Sequence, residues 1–307
     1  MGSRVLGWFL EGNKKICRVV LLLILLIVGT SGLVNGKEQG GEPMPLLRFG
    51  TTARVWGMGN AGVATAEGVE GLYYNPAALA SVEHPQLSIS HSTMFVDTSM
   101  NFIATALPMG KHGGLGAGLL ILSSPGIPKT DYDLVTESVI GYFDYLQAIA
   151  YWGMGMELEG GIGAGVTMKG LFGTLDDATC RGYSLEGGVR YRASQGVTLG
   201  LLARDALGEL SWSTGHKEDL PCQVLGGVAV ELLGGRLLVS GETDTSLKEW
   251  GLGAEYNLRD SVQLRGGYVK DSFTAGAGLY LGRVQLDYAW VGHELGGTHR
   301  LSFSVGF

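Results

Sequence analysis

The stretch RVWGMGNAG, residues 54–62, spaces Gly57, Gly59 and Gly62 as G-x-G-x-x-G. Glycines at that spacing can let a backbone approach a pyrophosphate, whose charge then faces the free N–H groups of a helix. That chemistry requires a strand before the first glycine, a helix after the last, and an acidic residue about twenty positions further on. Here LLRFGTTARVW comes before, interrupted by glycine and polar residues, and the next glycine after Gly62 is Gly68. No βαβ unit fits, so these glycines are read as structural. Other catalytic patterns fare no better. His84, His91, His112, His216, His293 and His299 are scattered without H-x-x-x-H spacing, and no G-x-S-x-G occurs. The sequence predicts no enzyme, no cofactor and no metal site.

The first 36 residues read as an export signal. Lys14, Lys15 and Arg18 precede the apolar run VVLLLILLIV at 19–28, and Val34-x-Gly36 offers small residues for cleavage. The rival reading is a membrane anchor, but that needs about 20 apolar residues and glycine, threonine and serine end this run early. Cys17 precedes the run, which argues against a lipoprotein anchor. Removing 1–36 takes Arg4, Lys14, Lys15, Arg18 and Glu11, and leaves a net charge near −10 with no basic cluster. Neutralising phosphates requires clustered Lys and Arg, so a nucleic-acid partner is excluded.

The rest of the chain must build whatever those glycines serve. From about residue 84 onward, apolar residues alternate with small or polar ones, the signature of two-faced strands. In HRLSFSVGF, Leu301, Phe303, Val305 and Phe307 oppose Arg300, Ser302, Ser304 and Gly306. VQLDYAW, KEWGLGAEY and GGIGAGVTM repeat the pattern. About fourteen such segments are centred near 89, 103, 118, 148, 164, 187, 200, 227, 239, 253, 266, 277, 287 and 303. Connections near 123–142, 170–179 and 205–221 are long, and those between, such as GMGM and LGGR, are short. Sorting by parity in this way is a property of transmembrane β-barrels, with short turns at one rim and long loops at the other. The expected fold is all-β: an antiparallel transmembrane barrel of about 14 strands over 84–307, preceded by a plug segment over 37–83. Chain-terminal Phe307, with apolar residues at every second position before it, resembles the insertion signal of Gram-negative outer-membrane barrels.

The apolar face of each strand would meet lipid. The opposite face carries Glu186, Glu231, Glu242, Glu255 and Asp287 together with Arg190, Arg192, Arg204, Arg265 and Arg300, a balanced set that predicts pairing across the lumen. Many of the 52 glycines fall on that interior face, as expected where another backbone comes close. Cys180 and Cys222 remain after signal removal. Two strand steps, about 10 Å, would separate them, yet both abut long connections, so a disulfide and two free thiols both stay open.

The segment FGTTARVWGMGNAGVATAEGVEGLYYNPAALASVEHP resembles the N-terminal signature of the PorV/PorQ family within the FadL-like outer-membrane proteins. The matching elements are Ala53-Arg54, Gly57-Met58-Gly59, the alanine-rich turn from Ala61 to Ala66, and Tyr73-Tyr74-Asn75-Pro76-Ala77-Ala78-Leu79. Gly59-Asn60-Ala61 and Glu67-Gly68 depart from the family's usual Gly-Gly-Ala and Asp-Asp. The resemblance covers about 40 residues and implies that the segment folds into or beneath the barrel as a hatch. Within it Asn75 and Pro76 form a helix start, through a side-chain cap and a residue that lacks the N–H otherwise left unpaired. Arg54 is expected to pair with a lumen acid.

The resemblance implies an integral protein of the outer membrane of a Gram-negative-type bacterium, bound by lipid. It further implies a role in protein secretion or surface attachment, with secreted proteins or secretion components as partners. The alternative is a FadL-like carrier of a hydrophobic small molecule, which needs an apolar pocket and an exit past the plug; the charged interior face counts against it, while the outer loops leave room for such a pocket.

Overall fold

The computed structural model describes residues 43–133, 136–193, 196–293 and 296–307. The signal expected over 1–36 lies outside the described residues, as do positions 37–42 of the plug segment.

All strands belong to one antiparallel sheet: β1 (Gln86–Thr93), β2 (Ser99–Pro108), β3 (Gly113–Asp133), β4 (Thr136–Leu158), β5 (Ile162–Leu175), β6 (Ala178–Ala193), β7 (Val197–Trp212), β8 (Lys217–Asp219), β9 (Gln223–Leu232), β10 (Leu237–Asp244), β11 (Trp250–Arg259), β12 (Val262–Val269), β13 (Ser272–Leu281), β14 (Val284–Val291) and β15 (Thr298–Gly306). β1 bonds to both β2 and β15, which closes the sheet, and β7 bonds to both β6 and β9. The short β8 pairs only with Glu209, Leu210 and Ser211 of β7, so the closed wall has 14 strands. Each of the segment centres read from the sequence falls in a different wall strand.

Alternation sorts the two faces. Along β2, Met100, Phe102, Ala104 and Ala106 are buried while Ile103 and Leu107 are exposed. In β15, Thr298, Arg300 and Ser302 turn inward, and Leu301 and Phe303 outward. The outward Leu, Val, Met and aromatic side chains form an apolar belt, as a wall solvated by lipid requires. No helix among the described residues is long and apolar enough to cross a membrane.

Strand lengths differ in a way the sequence did not reveal. The strands from β9 to β15 have 8 to 10 residues, whereas β3 and β4 have 21 and 23. At ~3.3 Å per residue and a tilt of ~40°, the longer pair runs about 50–60 Å, twice the ~25 Å apolar band. The stretches expected as long loops (123–142, 170–179 and 205–221) are therefore mostly paired strand. Ladder bonds join backbone groups whatever the side chains, so β3 and β4 continue to Asp133↔Thr136 after the apolar alternation ends. GMGM is likewise no turn: Gly153–Met156 lies inside β4, and the turn is at 159–161, where Gly160 and Gly161 have φ of 80° and 78°. LGGR does form the turn between β9 and β10.

Residues 43–82 pack inside the wall as short pieces: a 3₁₀ turn at Pro45–Arg48, α1 (Ala53–Gly57), a 3₁₀ turn at Gly68–Glu70, α2 (Gly71–Tyr74) and a 3₁₀ turn at Pro76–Ser81. Glycine and proline break the chain too often for a longer helix to propagate. Its apolar side chains, among them Leu46, Val55, Met58, Leu72, Tyr74 and Leu79, are almost fully buried.

Candidate functional site

Glycines on both surfaces bring the segment against the wall. Gly59 has φ of 64°, and a Cβ there would stand 2.8 Å from Tyr268 O and overlap Leu252 O. Opposite it, Gly251, Gly253 and Gly267 each leave room only for the backbone of Met58 and Gly59. On the far wall, Gly155 and Gly165 meet the backbone of Pro76 and its neighbours in the same way. Gly57 O accepts from Thr274 Oγ1 at 3.2 Å, and Gly59 N–H reaches that hydroxyl at 3.1 Å. The N–H that a phosphate would need at Gly59 is thus already engaged.

Polar side chains fix the segment further. Asn75 Oδ1 accepts the Ala77 N–H at 3.1 Å, and its Nδ2 donates to Val63 O at 2.9 Å. Pro76 begins the turn that Asn75 caps. The Tyr74 hydroxyl accepts from the Thr51 and Thr52 N–H groups at 2.9 and 3.3 Å. Arg54 Nη1 lies 3.0 Å from Glu70 and 3.1 Å from Thr65 O, while Nε donates to Glu255 at 3.3 Å. Arg265 continues the chain of charges, with 2.6 Å contacts to Glu255 and Asp287. Burial opposes the charge on Arg54, but Glu255 and Glu70 more than offset it and hold the guanidinium well above its ordinary value. At Glu70, burial outweighs the pull of Arg54 and pushes the carboxyl up.

The interior charges read from the sequence end in different settings. Glu255, Arg265 and Asp287 pair with one another, as just described. Glu186 pairs instead with Lys169 at 2.6 Å, and Lys169 also reaches Asp205 at 3.2 Å; sequence reasoning named neither Lys169 nor Asp205. Glu242 accepts the Val63 N–H at 2.7 Å. Arg190 donates to Ala66 O, Arg300 donates to Gly50 O and lies 4.1 Å from the Trp56 ring centroid, and Arg204 lies over the Tyr73 ring. None of these three has a salt bridge to a carboxylate among the described residues, so pairing between the ten charges is only partial. Arg192 and Glu231 are exposed near the rim of short turns.

Cys180 and Cys222 are separate free thiols. Cys180 is opposite Trp212 on β7, and Cys222 precedes Gln223, which is opposite Arg204. The two cysteines are thus offset by a whole strand and by about seven residues of register, or about 20 Å along β7. That is far outside disulfide reach.

An apolar region appears where the sequence analysis expected charge. In the half of the lumen toward the long hairpins, the walls of β2 to β7 present Met100, Phe102, Leu120, Ile149 and Leu171, packed against Met44, Leu46 and Leu47. β3 reads Leu119-Leu120-Ile121-Leu122, apolar on both faces, so alternation could not reveal an apolar interior. Above this region a pocket of about 410 Å³ opens between the projecting hairpins. Pro43, Pro45, Ile127, Phe143, Tyr145, Leu175 and Trp212 line it, with Glu218 as the one charged residue among those described. Two other hollows differ in kind. One of about 470 Å³ lies at the short-turn rim and holds charged side chains, including Glu67, Glu83, Arg192 and Arg283. Another of about 630 Å³ is bordered by outward-facing Ile89, Leu286, Leu301 and Phe303, on the surface that lipid covers. Among the described residues no group of three or more His, Cys, Asp or Glu is arranged to hold a metal.

The fold has counterparts among solved structures. The Pseudomonas putida toluene transporter TodX superposes with a TM-score of 0.62 over 83% of this chain and 96% of its own, at 12% identity. The fold is FadL-like. The CymD monoaromatic hydrocarbon channel gives 0.63 at 11% identity, covering 87% of this chain and 99% of its own. A Pseudomonas aeruginosa FadL homologue gives 0.58 at 12%, covering 84% and 98%. No family model matches the chain, and no curated protein matches it. These neighbours are a transporter, a channel and a FadL homologue.

Proposed function

We propose that this chain is an outer-membrane barrel of a Gram-negative-type bacterium, exported by the signal at 1–36, that takes up hydrophobic small molecules. The observation that carries this reading is the 410 Å³ pocket on the long-hairpin side, which would face outward. It is mostly apolar, within the ~300–1,000 Å³ range of small-molecule sites, and sits over an apolar half-lumen. The hydrocarbon channels with the same fold support it. A ligand would leave water at the hairpins and exchange contacts with Phe143, Leu175 and Trp212. Its driving force is burial of its own surface, at roughly 25 cal/mol per Å². The segment at 43–82 would act as the plug that keeps ions from following.

The second reading, protein secretion or surface attachment, is favoured by the motif from Ala53 to Leu79. In the structure those residues serve packing within the lumen, a role equally suited to either function.

The test is a titration of the purified full chain in detergent with toluene, followed by tryptophan fluorescence. Saturable quenching that is lost in W212F supports uptake of hydrophobic molecules. An unsaturable response identical in the wild type and W212F counts against it.

A further inference from the structure

The pocket between the projecting hairpins has one feature that hydrocarbon binding does not need. Glu218, on β8, carries the only charge among the described residues of its lining. β8 belongs to no part of the closed wall; it folds back on β7 through Leu210↔Glu218 and places this carboxylate beside Trp212. Trp212 Nε1 donates to Glu218 Oε1 at 3.1 Å, and His216 Nε2 lies 3.5 Å from the same oxygen. No partner is present for Oε2 among the described residues.

Two lysines of the projecting strands are paired elsewhere. Lys217 is committed to Glu209 at 2.9 Å, and Lys129, beside Ile127 of the lining, is held by Asp176 at 2.6 Å. The Glu218 side chain is only 26% exposed. A partly desolvated carboxylate accepts hydrogen bonds more strongly than one in bulk water and repels anions. With an aromatic and aliphatic lining around it, the pocket has an apolar body and one acceptor head.

Building on the hydrophobic-uptake reading, we propose that Glu218 makes the pocket selective for small apolar molecules carrying one hydrogen-bond donor, an amine or a hydroxyl, and makes it reject carboxylates. The ring of such a ligand lies against Phe143, Leu175 and Trp212, and its donor reaches Oε2. Buried acceptors discriminate because a ligand without the matching donor leaves them unpaired.

The experiment compares four probes with the same ring: toluene, benzyl alcohol, benzylamine and benzoate. Each is measured by equilibrium dialysis against the detergent-solubilised full chain and against E218Q. The expected order is benzylamine and benzyl alcohol ahead of toluene, with benzoate last. Benzylamine should bind at least about tenfold tighter than benzoate, corresponding to ~1.4 kcal/mol. E218Q should bring benzylamine and benzoate within about threefold of each other, and an unchanged far-UV circular-dichroism spectrum shows the variant to be folded. Equal affinity for benzylamine and benzoate in the wild type, or an unchanged ratio in E218Q while toluene still binds, overturns the assignment to Glu218 and leaves hydrophobic uptake standing. If none of the four binds, the uptake reading falls and the selectivity proposal with it.

Discussion

Two adjacent glycines of β12 separate wall from plug. Gly266 faces outward, and a Cβ there meets nothing within 4 Å. A Cβ on Gly267 would overlap Gly59 N and come within 2.7 Å of both Met58 C and Thr274 Oγ1. An ordinary contact begins near 3.4 Å, so the plug backbone must retreat by at least about 0.7 Å. Neither neighbour can swing away. Met58 C is main chain, and the Thr274 hydroxyl is held between Gly57 O and Gly59 N. Overpacking of this kind costs about 1–3 kcal/mol. If the cost falls on docking of the plug, the docked-to-open ratio drops by about 5- to 150-fold. The assay is hydrogen exchange of the plug amides in detergent, comparing G267A and G266A with wild type. Gly59 and Asn60 should exchange faster by that factor in G267A, while G266A behaves as wild type. Equal exchange in all three proteins would refute close packing of the segment on this wall.

Other expectations follow from the same contacts. R54A strips Glu70 of its only ion pair among the described residues and halves the pairing of Glu255, so it should destabilise the folded barrel by about 3–5 kcal/mol, read from urea unfolding in detergent. Y74F leaves the Thr51 and Thr52 N–H groups without their acceptor and should cost about 1–3 kcal/mol in the same assay. N75A removes the cap on Ala77 and the bond to Val63 O. It should loosen the turn at Pro76–Ser81 by about 1–2 kcal/mol, seen as faster proteolysis within 50–80. The thiols of Cys180 and Cys222 should both react with a maleimide after unfolding without reductant; a single mass shift or none would reveal a bond.

Much of the wall was legible because lipid on one side and a polar plug on the other force strict alternation. Trp250, Leu252 and Tyr256 outward against Gly251, Gly253 and Glu255 inward is a pattern the backbone period alone decodes. Legibility ended where that contrast vanished. In β3 both faces at 119–122 are apolar, so the apolar half-lumen left no signal. Beyond the membrane the hairpins of β3 and β4 need no apolar face, and paired strand read as loop. The Lys169–Glu186–Asp205 cluster was hidden by a register shift between Leu185 and Gly187. Asp205, with φ of 50°, turns inward beside Arg204 instead of outward by parity. Lys169 itself was within reach, two residues beyond Thr167 on the same inward face. The pocket depends on β8, three residues too few to register as a strand, and on hairpins whose approach no local pattern records.

The central claim is a membrane-spanning barrel whose lumen is closed by its own N-terminal segment. Conductance in a planar bilayer tests it most directly, using the refolded full chain and a version lacking residues 37–80. The account predicts a silent full chain and steady ion-conducting steps from the truncation. Steady open-pore conductance from the full chain would contradict it.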